Sequence, residues 1–173
     1  MKYLSNKDFK IYFGAPLFSE ADLMYNEYVV DAIYRYFGEN GIENINIYLP
    51  QDATDINDKT QYANSIDIAR YDTHKLLQSD IMVALLDGDD TGVSAEVGIA
   101  YQSGIPIIGL FTDSRQQGAD NQDKLDALKE VGENQFIYTN LFVVGIIKDR
   151  GKLTTSVKEL SESVLDYYKM CSK

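Results

Sequence analysis

The sequence predicts an α/β fold, a doubly wound three-layer sandwich built on a five-stranded, mainly parallel sheet. Short β-rich runs alternate with helical patterns along the chain, and the links between them are short. Such alternation favours a parallel sheet with helices on both faces. The 173 residues are enough to enclose one complete core, so we expect a single domain over residues 1–173.

The first predicted strand covers residues 10–14 and ends at a Gly-Ala-Pro turn. A helix follows it, because Ser19 and Asp22 have the spacing of a capping box. Residues 44–50 alternate polar with apolar side chains and predict the second strand, which ends at a proline. Residues 51–60 are polar and predict a surface loop over the groove.

The middle of the chain predicts two helices around a buried strand. The second helix is expected from about residue 59 to residue 78, and residues 81–86 form an apolar run typical of a strand buried on both faces. That strand breaks into a loop which opens a third helix. Residues 105–111 predict the fourth strand, with a proline tolerated near its beginning.

The C-terminal third is less regular. We expect a polar loop over residues 112–123, a short helix over 125–131 and a short fifth strand over 136–138. Residues 141–147 are an apolar segment that could be helix or strand. Residues 155–170 have apolar positions at helical spacing and predict the last helix.

Composition excludes several classes of partner. The net charge is −11, from 16 basic and 27 acidic residues, so a nucleic-acid backbone would be repelled. No apolar run approaches the ~20 residues of a membrane span, and the N-terminus lacks a signal-peptide pattern. We therefore expect a cytoplasmic protein without a membrane partner. The single cysteine, Cys171, excludes an internal disulfide and agrees with a reducing compartment.

A metal site finds little support in the sequence. With one histidine and one cysteine the usual zinc spacings cannot be written. The acidic cluster Asp87, Asp89 and Asp90 could bind a hard cation such as magnesium. Acidic loop residues are, however, more often solvated turn formers than ligands, so no metal is predicted.

Glu96 is the most informative candidate for chemistry. It lies in the helix after the buried strand, four residues after Gly92, and the missing side chain there leaves room for a ligand beside the acid. Most helical glutamates face solvent. Here the neighbouring positions Val93, Val97, Ala100 and Gly104 predict a buried stripe, and Glu96 lies on its shoulder. A partly desolvated carboxylate near a strand end is a candidate nucleophile or base.

Tyr12 and Asp72 are candidate partners of Glu96. Tyr12 lies at the edge of the same groove if the first and third strands are neighbours, as they are in flavodoxin-like sheets. A tyrosine in a strand usually packs in the core, but its hydroxyl could here orient a carboxylate. Asp72 lies in the second helix and could equally be a solvated acid. His74 is interpreted as a surface residue.

Three motifs and one isolated acid together resemble a known family. The motifs are KIYFGAPLF at residues 10–18, SDIMVA at 79–84 and DTGVSAEVGIA at 90–100, with Asp72 between the first two. Their order and spacing resemble the nucleoside 2-deoxyribosyltransferases over most of the chain, from the first strand to about Asn140.

The resemblance implies a role for five residues. Glu96 matches the glutamate that attacks C1′ of the deoxyribose and holds it covalently, and Tyr12 matches the tyrosine that positions this glutamate. Asp72 matches the aspartate that contacts the base and handles its proton. Asp90 matches the residue that takes the sugar hydroxyls at the 5′ end, and Asn140 the asparagine that reaches the site of a neighbouring subunit.

The resemblance further implies the partners. Gly14, Phe18 and Gly92 are expected to contact substrate beside these residues, and no metal or organic cofactor is needed. The substrates would be deoxynucleosides and free nucleobases in nucleotide salvage, and the protein would be a homo-oligomer, a dimer or larger. Which bases are accepted depends on the pocket formed by Phe18, residues 51–52 and residues 54–62.

The proposed chemistry agrees with these residue types. Departure of a base from C1′ passes through an oxocarbenium-like state that a carboxylate stabilises and then traps. We expect Glu96 to be charged and Asp72 to be at least partly protonated when the base leaves. Asp90 stands six residues before Glu96, where relatives that cleave 5′-monophosphates tend to have a small hydroxyl residue. Its charge would repel a phosphate, so a free nucleoside is favoured.

Other functions remain open at this point. A hydrolase that passes the deoxyribosyl group to water would use the same residues. A receiver domain is disfavoured because the first strand ends in Gly-Ala-Pro rather than in an acidic pair, and a flavin carrier because the following loop has few phosphate donors. A nucleoside-binding regulatory domain without activity is a further alternative.

Overall fold

The computed structural model describes residues 8–57 and 60–172 and contains one five-stranded sheet in the order β2-β1-β3-β4-β5. All neighbouring strands are parallel. The strands are β1 (Phe9–Gly14), β2 (Ile45–Tyr48), β3 (Ile81–Leu85), β4 (Ile107–Leu110) and β5 (Gly151–Thr154). This order is that of flavodoxin-like folds. The predicted doubly wound three-layer fold is confirmed, with an all-parallel sheet.

Seven α-helices lie within the described residues. They are α1 (Glu20–Glu39), α2 (Thr54–Asn57), α3 (Ser65–Leu77), α4 (Thr91–Gln102), α5 (Gln122–Ala127), α6 (Leu141–Arg150) and α7 (Val157–Cys171). The capping box predicted at the start of α1 is present, since Ser19 and Asp22 bond each other's backbone. None of these helices is both long and apolar enough to cross a membrane.

Alternation along the strands creates two cores. Ile11 and Phe13 of β1 face α1 and α7, whereas Tyr12 between them faces the layer of α3, α4 and α6. The second core contains Met82 of β3 and Val97 of α4. Tyr12 therefore belongs to the same layer as the helix that carries Glu96, as period-2 alternation requires.

The register of the sheet places two tyrosines side by side. Tyr12 of β1 pairs with Tyr48, the last residue of β2, and with Met82 of β3 on its other side. Paired residues of parallel neighbours point to the same face. Both tyrosine side chains therefore extend toward α3 and α4 near the carboxyl ends of the strands.

The segment after β2 differs from the prediction. Residues 51–60 were expected to be a loop, but Pro50–Asp52 form a 3₁₀ turn and α2 follows, while residues 58–59 lie outside the described residues. The second predicted helix begins at Ser65 and not near residue 59. The reason is local, because the side chain of Asn64 accepts a hydrogen bond from the Asp67 amide and caps α3 there.

The predicted fifth strand was wrong. Residues 136–138 are not a strand, and the free edge of β4 is instead occupied by β5, in register from Ile107 with Gly151. The amide of Phe136 donates to the side-chain oxygen Asn134 Oδ1 at 2.9 Å and not to a neighbouring strand. β5 has only four residues and is partly exposed. So short a segment gives little strand signal in the sequence.

Smaller differences concern helix ends. The apolar segment 141–147 is part of helix α6, and the helix expected over 125–131 begins earlier as α5 and ends at Ala127. The loop expected over 112–123 contains a 3₁₀ turn at Ser114–Gln116 and the start of α5. Gly104 is not part of the buried stripe, because α4 ends at Gln102 and Gly104 has a φ of 75° beyond its cap.

Candidate active site

A cavity of about 400 Å³ opens between α3 and α4, beside the loops that follow β1 and β2. This volume is in the range of small-molecule sites. Small and apolar side chains form most of its wall, and three carboxylates converge on it, from Asp72, Asp90 and Glu96. The other lining residues are Ala15, Leu17, Phe18, Pro50, Ser65, Ile68, Ala69, Thr73, Gly92, Val93, Ala95 and Ile99. The cavity lies where doubly wound sheets bind ligands.

Glu96 is held between a hydroxyl and a glycine. The Tyr12 hydroxyl donates to Glu96 Oε1 at 2.6 Å. A Cβ added to Gly14 would lie 2.7 Å from Glu96 Oε2, which is too close for a carbon. Gly14 thus lets the carboxylate approach the end of β1, and this explains why a glycine is needed at a position that was expected to contact substrate.

The surroundings of Glu96 favour its neutral form. Burial raises the pKa of Glu96 to about 7, the Tyr12 hydrogen bond opposes that rise, and the negative charges of Asp72 and Asp90 add to it. Glu96 therefore titrates close to neutral pH, where an ordinary glutamate is fully ionised. The expectation that Glu96 is charged when the base leaves concerns the complex with substrate and stays a prediction. Burial and the Glu96 charge also raise the pKa of Tyr12, so its hydroxyl stays a donor.

Asp72 has a tyrosine partner that the sequence interpretation missed. The Tyr48 hydroxyl donates to Asp72 Oδ1 at 2.7 Å, and the rings of Tyr48 and Tyr12 are 5.4 Å apart between centroids. Burial raises the pKa of Tyr48, and its hydrogen bond to Asp72 raises it further. The alternation in residues 44–50 indicated that Tyr48 lies in a strand. It does not reveal which residue of β1 pairs with Tyr48.

Asp90 is both a cavity residue and a helix cap. Its Oδ1 accepts a hydrogen bond of 2.9 Å from the amide of Val93 and so satisfies the first turn of α4. A Cβ on Gly92 would lie 2.9 Å from this oxygen, so the glycine makes room for the Asp90 carboxylate. Asp90 and Glu96 are thereby held on one helix at the edge of one cavity.

A buried asparagine holds together two of the segments beside the cavity. Asn26 is 1% exposed, and its Nδ2 donates to the carbonyl of Pro16 at 2.8 Å and to Gln51 Oε1 at 2.9 Å. Gln51 Nε2 in turn donates to the carbonyl of Leu23. Asn26 therefore joins the loop after β1 to the segment after β2. Gln51 is bonded to α1 and does not line the cavity, contrary to its expected place in the pocket. Phe18, which does line it, is 80% exposed at the rim.

Asn140 lies apart from the other site residues. It is exposed, its side-chain oxygen accepts a hydrogen bond from the amide of Phe142 at 2.9 Å, and it caps α6. It is not among the residues that line the cavity. His74 is exposed on α3, as its surface interpretation required.

The acidic loop after β3 is engaged in local bonds. Asp87 accepts hydrogen bonds from the amide of Thr112 at 2.9 Å and from its hydroxyl at 2.7 Å, so it joins the ends of β3 and β4. Asp89 has a φ of 50°, and Asp90 caps α4. Across residues 8–57 and 60–172, no group of three or more potential ligands is arranged to hold a metal ion.

Comparison with known proteins shows the family and related folds. A crystal structure of a conserved protein from Enterococcus faecalis V583 is 52% identical, with a TM-score of 0.83, over 92% of this chain and 98% of that one. The 2-deoxyribosyltransferase from Bacillus psychrosaccharolyticus is 18% identical, with a TM-score of 0.53 over 88% of this chain and 90% of that one, so it shares the fold. No curated protein sequence matches. The family model described as "Nucleoside 2-deoxyribosyltransferase" matches residues 11–132, and the chain therefore belongs to this family.

Proposed function

We propose that this protein transfers the 2-deoxyribosyl group between nucleobases through a covalent intermediate on Glu96. The observation that carries the proposal is the 2.6 Å hydrogen bond from the Tyr12 hydroxyl to Glu96 Oε1 at the wall of the cavity. Such a bond fixes a carboxylate and stabilises its ionised form, as a nucleophile requires.

In the first half-reaction the ionised Glu96 attacks C1′ of a deoxynucleoside. A bond forms between its oxygen and C1′ while the bond from C1′ to the base nitrogen breaks. Asp72, at the same cavity wall, gives its proton to the departing base, which then leaves as a neutral molecule.

In the second half-reaction a different base takes the vacated place. Its nitrogen attacks C1′, the bond to the Glu96 oxygen breaks, and Asp72 accepts the proton that the incoming base loses. Two inversions at C1′ leave the configuration of the sugar unchanged. Both carboxylates then return to their starting state without a metal or cofactor.

Asp90 supports a free nucleoside as the substrate. Its carboxylate lies at the cavity wall, and a 5′-phosphate placed near it would be repelled. We expect Asp90→Ser, which keeps a capping hydroxyl, to raise the turnover of 5′-monophosphates relative to nucleosides. Asp89→Asn, a change in the same loop outside the cavity lining, is the matched control and should leave this ratio unchanged. A wild-type enzyme that turns over both substrate forms equally would contradict this role of Asp90.

Asn140 supports a site shared between subunits, because it is exposed and next to Leu141 and Phe142, which are 83% and 76% exposed. We expect a homo-oligomer in analytical ultracentrifugation. Co-expression of Glu96→Gln and Asn140→Ala chains should then restore some sites, in which an intact Glu96 meets an intact Asn140 of the other chain. Mixed oligomers that stay as inactive as each variant alone would refute the shared site.

Adduct trapping tests the mechanism. The wild-type protein is incubated with a deoxynucleoside, quenched and digested, and we expect the peptide that contains Glu96 to gain the mass of one 2-deoxyribosyl group. Glu96→Gln should gain none. Adding a second base should give a new nucleoside, whereas free deoxyribose as the main product in its presence would identify a hydrolase. An active enzyme without the adduct would overturn the covalent route.

A further inference from the structure

We propose that Tyr48 is a positioning residue that orients the Asp72 carboxyl for proton transfer to the leaving base. The inference rests on the proposed function and adds a residue to it. Tyr48 does not line the cavity, whereas Asp72 does. Its 2.7 Å hydrogen bond to Asp72 Oδ1 is thus the route by which it would act on the reaction.

The sheet fixes where the Tyr48 hydroxyl lies. Tyr48 ends β2 and stands in register with Tyr12, and the two rings are 5.4 Å apart with an interplanar angle of 33°. The ring of Tyr71 is 6.3 Å from that of Tyr48 between centroids, and Lys75 Nζ lies 5.5 Å from the Tyr48 centroid. The ring is therefore confined on several sides, and its hydroxyl holds Asp72 Oδ1 in place.

The direction of the hydrogen bond determines which oxygen carries the proton. Burial and the neighbouring Asp72 raise the pKa of Tyr48, so the hydroxyl stays protonated and donates. Because Oδ1 accepts from Tyr48, a proton on the Asp72 carboxyl belongs on Oδ2. Tyr48 thereby aims the acidic oxygen instead of supplying a proton itself.

The two tyrosines then have separable tasks. Tyr12 holds the nucleophile Glu96, which every substrate needs, and Tyr48 holds the acid, which only a poor leaving group needs. A 4-nitrophenyl 2-deoxyriboside releases a stable phenolate without protonation. Its turnover should depend on Tyr12 and be insensitive to Tyr48.

The test compares Tyr48→Phe with Tyr71→Phe. Tyr71 is a neighbouring ring, and removing its hydroxyl leaves the hydrogen bond between Tyr48 and Asp72 intact. We expect Tyr48→Phe to lower kcat on a deoxynucleoside by about tenfold, with KM nearly unchanged, and to change turnover of the nitrophenyl riboside less than about twofold. Tyr71→Phe should change neither. In an Asp72→Asn background, adding Tyr48→Phe should cause no further loss, since the orienting bond then serves no acid.

Three results would overturn the inference. One is an equal loss on both substrates, which would indicate a structural role, and another is an unchanged rate on the deoxynucleoside. The third is a full additional loss in the Asp72→Asn background. Each of these can occur with a fully active wild-type transferase, so the proposed function would stand. A wild-type protein that forms no product from any deoxynucleoside would refute the proposed function and this inference with it.

Discussion

Removing the Tyr12 hydroxyl should change the pH dependence of the enzyme more than its fold. Tyr12→Phe deletes the 2.6 Å hydrogen bond to Glu96 Oε1. This bond opposes the rise in the Glu96 pKa that burial causes. A hydrogen bond to a charged group is worth about 1.5–3 kcal/mol, and each pH unit corresponds to about 1.4 kcal/mol. The pKa of Glu96, about 7 in the wild type, should therefore rise by about one to two pH units.

The magnitude follows from the ionised fraction. At pH 7 about half of the wild-type sites have a charged Glu96, and in Tyr12→Phe this fraction falls to between about a tenth and a hundredth. We expect kcat/KM at pH 7 to drop by about 5- to 50-fold and the two proteins to agree within about twofold at pH 9. The assay is kcat/KM for base exchange from pH 5 to pH 9.5, because this constant reports ionisation in the free enzyme.

Tyr101→Phe is the matched control, because it removes a different tyrosine–carboxylate hydrogen bond, to Asp149 at 3.0 Å. Tyr101 lies on the same helix as Glu96 but does not line the cavity. This change should leave the pH profile of kcat/KM unchanged. If Tyr12→Phe lowered kcat/KM by one constant factor at every pH, the hydroxyl would orient Glu96 without affecting its charge, and the predicted rise in the Glu96 pKa would be refuted.

Three further changes test other parts of the site. In Gly14→Ala the new Cβ would lie 2.7 Å from Glu96 Oε2 and displace it, so kcat/KM should fall about 100-fold or more, whereas Gly98→Ala, with nothing within 4 Å, should leave activity intact. Activity retained in Gly14→Ala would argue against the close approach. The pKa of Glu96 rises from 4.5 to about 7 on folding, so its ionisation destabilises the fold increasingly from pH 4.5 to 7. Glu96→Gln should therefore raise the free energy of urea unfolding by about 1–3 kcal/mol at pH 8 and change it little at pH 4; equal effects at both pH values would contradict this. Asn26→Ala removes the donor that holds Gln51, so the free energy of urea unfolding should fall by about 1–3 kcal/mol. KM should rise more than kcat falls. An unchanged KM would show that Asn26 does not influence substrate binding in the cavity.

Local patterns predicted which elements carry Tyr12 and Glu96, because each residue lies inside a recognisable strand or helix. Tyr12 belongs to a β-rich run and Glu96 to a helix opened by a capping residue, and both patterns depend on neighbours in sequence. The place of Tyr48 beside Tyr12 escaped prediction because it depends on the register between β1 and β2. That register is set by packing over the whole sheet. The ionisation of Glu96 likewise depends on burial, which alternation alone does not measure.

The C-terminal third shows a different limit of predicting strands and helices from sequence. An apolar segment such as residues 141–147 fits a buried helix or a buried strand equally well, and the structure makes it α6. β5 has only four residues, and its pairing with β4 supplies what the sequence lacks. One of its side chains, Thr154, is fully buried and donates to the carbonyl of Gly109 at 2.8 Å. Edge position and tertiary contacts thus determine this strand.

The adjacent tyrosines on β1 and β2 give the site a preorganised geometry. Each hydroxyl anchors a carboxylate of a different helix, Glu96 from α4 and Asp72 from α3, to backbones that are hydrogen-bonded to each other. The sheet therefore sets the separation of the two acids before any ligand arrives. Little reorganisation should then remain for the moment of reaction, which is how fixed polar groups lower a barrier. Structures with and without a bound nucleoside should superpose closely at these four side chains even where the rim around Phe18 differs.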